Sequence, residues 1–357
     1  MQKTVLILGA RGRLGAALVS AFAHAGWRVL AQTRAGAALP VVGAMPMVPK
    51  PTALAPNAPT ALPLQHITAE LTDTTAFARL GPIDVVVHAL NPTYTLWPTQ
   101  AMPLLESAIG LSLQLGASLM FPGNVYNFGD SMPGLLREST AQRPSTGKGK
   151  IRCAMELRLQ QAAAPLALLQ NTAPLALQEG KAQPRLRSVV IRAGDFFGSG
   201  TGSWFDLLVA KGAPKGRMGY AGPRGIATAW AYVPDLAQAF VQVAQRSTQL
   251  APFEVLHFAG HHLRREDWQQ AMGRVLASLG WLPAGQKPKV QSMPWPLIRA
   301  LAWAVPNWRE IAELRYLWLT PHALDGSKLA SLIGPEPHTP LDTALRQSLQ
   351  QLYPNKV

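Results

Sequence analysis

The first 31 residues limit what this chain can fold into more than any other segment. Val5-Leu6-Ile7-Leu8 is an unbroken apolar run, as expected of a parallel strand covered on both faces. It runs directly into Gly9-Ala10-Arg11-Gly12-Arg13-Leu14-Gly15. Leu14, Leu18, Val19, Phe22 and Ala23 then recur at helical spacing, Gly26 closes that helix, and Trp27–Ala31 reads as a second strand. In this order, Gly9 permits a tight turn, Gly12 lets the backbone approach a pyrophosphate, and Gly15 allows the helix to pack closely on the strand. The helix start offers unpaired N–H groups and partial positive charge to an anion. The spacing therefore predicts a dinucleotide site built from Gly9, Arg11, Gly12, Arg13, Leu14 and Gly15, against the plainer reading of a structural glycine turn.

The end of the second strand bears on which dinucleotide. NAD sites usually carry an acidic residue there for the ribose hydroxyls, whereas this chain has Gln32-Thr33-Arg34. A 2′-phosphate would repel a carboxylate and attract Arg34 and Arg11, so NADP(H) is expected over NAD(H). Between residues 35 and 65 prolines recur at 40, 46, 49, 51, 56, 59 and 63, a density no regular helix survives, and a loose connection is expected. Further strands are read at His66–Leu71, Asp84–Leu90, Ser118–Phe121 and Ser188–Arg192, with helices near 100–115 and 150–163. The Ala/Leu/Pro/Gln-rich segment 163–187 reads as an added surface loop.

This alternation predicts an α/β protein: a Rossmann-type, doubly wound parallel sheet with a smaller, mainly helical C-terminal substrate lobe. Residues 1–200 would form the NADP-binding domain, with 229–262 returning to it, and 201–228 with 263–357 the lobe. Ligands on such a sheet sit at the carboxyl ends of its strands. That rule adds Glu70, Leu71, His88, Ala89 and Leu90 to the cofactor-binding candidates, and Asn124 and Tyr126 to those facing the substrate.

Composition narrows the classes. At 48% hydrophobic and 15% charged residues the chain is globular and not disordered. A lone cysteine, Cys153, excludes an intrachain disulfide and a thiolate zinc cluster, and no metal site is expected; both suit the cytoplasm. The N-terminus lacks a signal-peptide pattern. The longest apolar candidate for a membrane span, Met293–Trp308, is cut by Arg299 and three prolines. The net charge of +14 is scattered in small groups without a nucleic-acid motif, so it reads as a basic surface, part of it serving an anionic cofactor. A small-molecule substrate is expected, a homodimer is allowed, and neither nucleic acid nor membrane is expected as a partner. Trp295, Trp303, Trp308, Tyr316 and Trp318 are read as core of the helical lobe, with an oligomer surface as the alternative, and Thr339-Pro340-Leu341-Asp342 as a helix start capped by Thr339.

Taken together, these segments resemble the extended short-chain dehydrogenase/reductases, the NAD(P)-dependent epimerase/dehydratase family, over most of the chain. Gly9-x-x-Gly12-x-x-Gly15 has that family's spacing, and Glu70-Leu71-Thr72-Asp73 resembles its acidic turn at the adenine. Val125-Tyr126 resembles its "VYG" segment, Arg192–Gly198 its "LRpxnvyG" segment, Tyr232–Ala237 its "hVdDlA" helix start, and Phe253–Gly260 its last strand. The resemblance implies an oxidoreductase or epimerase-like activity with a nicotinamide cofactor.

One departure bears on chemistry. The family pattern Pro-x-x-x-Tyr-x-x-x-Lys-x-x-x-Glu is matched by Pro144–Glu156 with Lys148 in place of the tyrosine and Arg152 in place of the lysine. The partner serine falls on Pro122. Three readings fit. Substitutes carry the chemistry: Lys148 as an acid made usable by the like charge of Arg152, Tyr126 or Asn124 orienting a carbonyl, and Arg152 holding the ribose. Alternatively the chain senses NADP(H) without turnover, in the manner of NmrA-like relatives, or serves only as an interaction module. On the substrate side, Asp195 would repel a diphosphate, which disfavours sugar nucleotides. Asn124, Phe197, Trp204 and Trp230 complete the expected substrate pocket, with packing roles the alternative for the aromatics.

Overall fold

Unbroken apolar runs such as Val5–Leu8, Val85–Val87 and Val189–Ile191 place apolar side chains on both faces of the central sheet, so both faces are covered. The computed structural model describes residues 2–34, 64–163, 185–200 and 202–356. The expected loose connection over 35–65 and the added segment 163–187 fall almost wholly outside these residues. In chain order the structure runs β1 (Thr4–Leu8), α1 (Arg13–His24), β2 (Arg28–Thr33), β3 (Leu64–Thr68), α2 (Thr74–Ala78), β4 (Val85–His88), α3 (Trp97–Leu115), β5 (Ser118–Gly123), β6 (Leu135–Leu136), α4 (Gly147–Ala163), β7 (Ser188–Arg192) and β8 (Asp195–Phe197). It continues with β9 (Arg217–Tyr220), β10 (Ala227–Tyr232), α5 (Val233–Gln245), β11 (Phe253–His257), β12 (His261–Arg264), α6 (Arg265–Ser278), β13 (Lys289–Ser292), α7 (Trp295–Leu301), α8 (Pro306–Glu313), β14 (Ala323–Leu324), α9 (Ser327–Ile333) and α10 (Leu341–Leu352).

Seven strands form one sheet in the order β11-β7-β5-β4-β1-β2-β3, every adjacent pair parallel. Val5 and Ile7 of β1 face one way, into a core with Leu18 and Phe22 of α1 and Leu236 and Phe240 of α5. Leu6 and Leu8 face the other way, into a core with Leu105 and Ile109 of α3 and Met155 and Leu159 of α4. The strand order reverses between β1 and β4, so a crevice opens beyond the carboxyl ends of these strands, where a doubly wound sheet binds ligands.

Two boundaries differ from expectation for identifiable reasons. β3 pairs with β2 from Val29↔Leu64 to Thr33↔Thr68, so its ladder stops where β2 stops, and Glu70 and Leu71 lie beyond it in a turn. Thr339 does not cap α10: its N–H and hydroxyl both donate to the buried Asp235 carboxylate of α5, and Pro340 precedes the first helical residue. The last helix is thereby tied to the large sheet.

The C-terminal half builds a third core around aromatic rings. Trp268 meets Phe197, Phe205 and Trp230 at centroid distances of 5.3, 5.5 and 5.1 Å. Trp318 packs on Trp230 and Tyr220. Trp295 and Trp318 are core residues as expected, whereas Trp303 is 86% exposed. Among the described residues, no helix is long and apolar enough to cross a membrane.

Candidate functional site

A cavity of about 970 Å³ lies where the carboxyl ends of β1, β4, β5 and β7 face the helical lobe. One end of it is set by the glycine turn. Gly9 has φ of 79°, a backbone conformation that favours glycine. A Cβ on Gly15 would stand 2.2 Å from the Gly9 carbonyl oxygen, so only glycine lets α1 pack this close. Gly12 precedes α1 with no side chain to cap it, and the first turn carries no acidic residue. The turn is braced by Gln32: its side-chain oxygen accepts from Gly9 N–H at 3.1 Å and its amide donates to the Ala69 carbonyl at 2.8 Å. Gln32 is thus a structural residue of the glycine turn that its position alone did not mark.

Arg11, Gly12, Arg13 and Leu14 line the cavity, and Arg13 Nη1 is buried with no hydrogen-bond partner among the described residues. Gly9 and Gly15 stand behind them as the turn's frame. Ala89, Leu90 and His88 also line the wall. Both ring nitrogens of His88 are buried without partners among the described residues, and burial, aided by Arg152, pulls its pKa down to about 4, so it is a neutral imidazole. Arg34 is exposed at the end of β2, and Arg34, Glu70 and Leu71 lie outside the cavity wall.

At the inner end, α4 presents Arg152 to the cavity, with its guanidinium between the rings of Trp97 and Phe121 (4.8 and 5.2 Å to the centroids). Its Nη1 donates to the Pro122 carbonyl at 3.0 Å, and its Nε is buried without a partner among the described residues. One turn earlier, Lys148 is 3% exposed and does not line the cavity. Its ammonium is held by Glu310 and, at 2.6 Å, by Glu313, both from α8; Glu313 also accepts from Gly147 N–H. The ammonium is ion-paired to two carboxylates and lies 5.1 Å from the centroid of the Tyr94 ring, so the like-charge pairing with Arg152 expected from the sequence is replaced by an ion-pair clasp between α4 and the lobe. Nothing local in the sequence marks it, because the glutamates lie 162 and 165 residues downstream.

Three other ionisable groups meet in the wall. Tyr126 Oη lies 3.1 Å from Tyr94 Oη, a residue that sequence reasoning missed, and Asp195 joins them. Burial pushes both tyrosines above the ordinary phenol range, so they remain neutral donors near neutrality. Burial also raises Asp195 to about 7, against the opposing charge of Arg13. Asn124 lines the same wall, its side-chain oxygen accepting from Tyr126 N–H, and Trp204 flanks it with Leu207, Leu208 and Met293. Two expected pocket residues lie elsewhere. Trp230 sits on β10, is 1% exposed, donates through Nε1 to Thr228, and is core of the lobe. Phe197 is walled off by Phe205, Tyr232, His261 and Trp268.

A parallel seven-stranded sheet, a glycine turn at its crevice and a C-terminal lobe closing over that crevice define a Rossmann-type protein with the fold of the extended short-chain dehydrogenases and epimerases. Solved structures with this fold align along the whole chain. UDP-glucose 4-epimerase from Brucella ovis in complex with NAD matches at 14% identity, covering 98% of each chain, with a TM-score of 0.66. UDP-N-acetylglucosamine 4-epimerase from Bacillus cereus matches at 11% identity, covering 98% of this chain and 99% of that one, with a TM-score of 0.66. L-threonine dehydrogenase from Clostridium difficile matches at 14% identity, covering 100% and 99%, with a TM-score of 0.64. No family model matches the sequence, and no curated protein matches it.

Proposed function

We propose that the chain is an atypical member of the extended short-chain dehydrogenase/reductase family, an NADP(H)-dependent oxidoreductase or epimerase-like enzyme acting on a small, uncharged, partly apolar molecule that is not a nucleotide. The observation that carries this reading is a single cavity with an anion cradle at one end and proton-handling groups at the other. The cradle suits a dinucleotide: the Gly9–Gly15 contact admits no side chain, α1 opens uncapped, and the buried Arg13 Nη1 lacks a partner among the described residues. Solved relatives of the fold in complex with NAD support the cofactor class. The preference for NADP(H) rests on Arg34 and Arg11, both exposed and without an ion-pair partner among the described residues, and on the absence of a carboxylate at the end of β2.

Bound NADP(H) would supply or accept the hydride. Arg152 would take the place of the family's lysine beside the nicotinamide ribose, held flat by Trp97 and Phe121. Neutral hydroxyls of Tyr126 and Tyr94 would donate hydrogen bonds to a substrate carbonyl oxygen. Asp195, titrating at about 7, would give up the proton in reduction and take it in oxidation. The apolar side chains of Trp204, Leu208 and Met293 favour an apolar substrate body, and the Asp195 carboxylate disfavours a diphosphate. The test mixes the protein with NADPH and a panel of carbonyl compounds and follows absorbance of the reduced nicotinamide. Turnover that disappears in Asp195→Asn, with NADPH binding kept, is expected; full activity in that variant refutes the role of Asp195.

The Lys148 clasp favours one second reading. The position of the family's acid is bound up with Glu310 and Glu313, an arrangement that suits an NADP(H) sensor without turnover. Tight NADPH binding with no consumption across the panel selects this reading.

A further inference from the structure

The stretch between Asp267 and Glu310 contains no acidic residue and five basic ones: Arg274, Lys287, Lys289, Arg299 and Arg309. Arg274 is paired with Asp342, while the other four are exposed and have no ion-pair partner among the described residues. Within this stretch α7 buries Trp295 and Ile298 in the lobe and turns Leu297 (51% exposed) and Leu301 (37%) outward. The turn that follows, before α8, carries Trp303 at 86% exposure, the most exposed large apolar side chain among the described residues. Leaving an indole and two leucines in water is unfavourable by roughly 25 cal/mol per Å² of apolar surface, so the tip is built to be covered.

We propose that this tip, α7 with the turn to α8, seats the protein on the surface of an anionic lipid bilayer. Trp is the residue favoured at the headgroup level, and leucines beside it reach the acyl boundary. Basic side chains around an interfacial element are drawn to anionic headgroups. A second copy of the chain is a poorer occupant, because a self-complementary contact would set Arg299 and Arg309 of one copy near those of another, between two bodies of net charge +14. The tip is also continuous with the cavity: Met293 just before it and Ile311 just after it both line the wall, as does Leu207, 61% exposed. A protein seated this way would hold the apolar side of its cavity next to the bilayer. The seat does not depend on the cofactor or on turnover.

The full chain is floated on a density gradient with vesicles of phosphatidylcholine, with and without phosphatidylglycerol, beside Trp303→Ser and Arg309→Glu. Both substitutions fall on exposed positions, and unchanged thermal melts show that the fold is kept. The wild type is expected to float with the anionic vesicles only, Trp303→Ser to bind them about tenfold more weakly, and Arg309→Glu to lose part of the anionic preference. Flotation of Trp303→Ser equal to that of the wild type would reduce the effect to non-specific adsorption of a basic protein and overturn the proposal. So would absence of flotation, with or without a concentration-dependent dimer that Trp303→Ser dissolves.

Discussion

Substituting the second and third glycines of the turn separates the role of the backbone in holding a ligand from its role in holding the fold. In Gly15→Ala the new Cβ would lie 2.2 Å from Gly9 O and 3.0 Å from Ala10 Cα, so α1 and the turn must part by about 1 Å to restore ordinary contact. Overpacking of this kind costs about 1–3 kcal/mol, and the better helix propensity of alanine returns at most about 1 kcal/mol. The net loss of about 1–2 kcal/mol should lower the melting temperature by a few degrees. The same displacement moves the first-turn amides away from the phosphates and should weaken NADPH by about 10- to 100-fold, the worth of one charged hydrogen bond. In Gly12→Ala the nearest atoms are 3.3 and 3.5 Å away, so the Gly9 carbonyl need give by only a few tenths of an ångström, and the fold should lose about 1 kcal/mol at this cap position. The methyl nevertheless occupies the surface that must approach the pyrophosphate, and affinity should fall by at least about tenfold. Thermal denaturation with and without NADPH, together with calorimetric titration, reads both quantities. If Gly12→Ala binds NADPH as tightly as the wild type, close backbone approach is not how the cofactor is held.

Other outcomes follow from the same structure. Arg34→Ala should weaken NADPH about tenfold and leave NADH unchanged; equal loss for both cofactors would contradict a 2′-phosphate contact. Since Asp195 is protonated below about 7 and charged above it, a reductive reaction using it as the acid should slow as pH rises through 7, and Asp195→Asn should abolish that inflection. Lys148→Ala leaves Glu310 and Glu313 facing each other without their cation, so α8 should loosen and stability fall by about 1–3 kcal/mol, discounted because both carboxylates are about a quarter exposed; an unchanged melting temperature would show the clasp to be idle. Burial lowers His88, His257, His261 and His322 to about 4, below their unfolded value of 6.5. The unfolded chain therefore binds more protons on these imidazoles between these values, and the stability they contribute, complete above 6.5, should be lost as pH falls towards 4; Asp195, Asp235 and Glu336, all raised by burial, act in the opposite direction. Imidazole titrations followed by NMR in the folded protein, with midpoints near 6.5, would show that these rings are not held neutral.

What the sequence conveyed was local. The run Val5–Leu8, the three glycines and the face Leu14–Leu18–Phe22 lie within 20 residues of one another, and their pattern predicts the turn, the helix and the parallel sheet that the structure contains. Arg13, His88 and Asp195 could be placed in one crevice because strand ends converge there by topology, whereas Arg152, inside α4, was marked only by the family motif it matches. Trp230 could not be told from Trp204 by sequence, since both are aromatics near the expected pocket. The difference is register: Trp230 sits on a strand buried along its whole length, and Trp204 precedes a short helix at the mouth. Lys148 illustrates the same limit. Its position on α4 was readable from the motif, but its partners come from a helix that arrives only through the tertiary packing of the lobe. Tyr94 was invisible for a related reason: its significance is a hydroxyl 3.1 Å from Tyr126, 32 residues away.

In the proposed function the amino-terminal turn and its arginines grip a phosphorylated nicotinamide nucleotide. Calorimetric titration of the protein with NADPH and with NADH tests it most directly. Saturable one-site binding of NADPH, about tenfold tighter than that of NADH, is expected. No heat of binding with either nucleotide would contradict it.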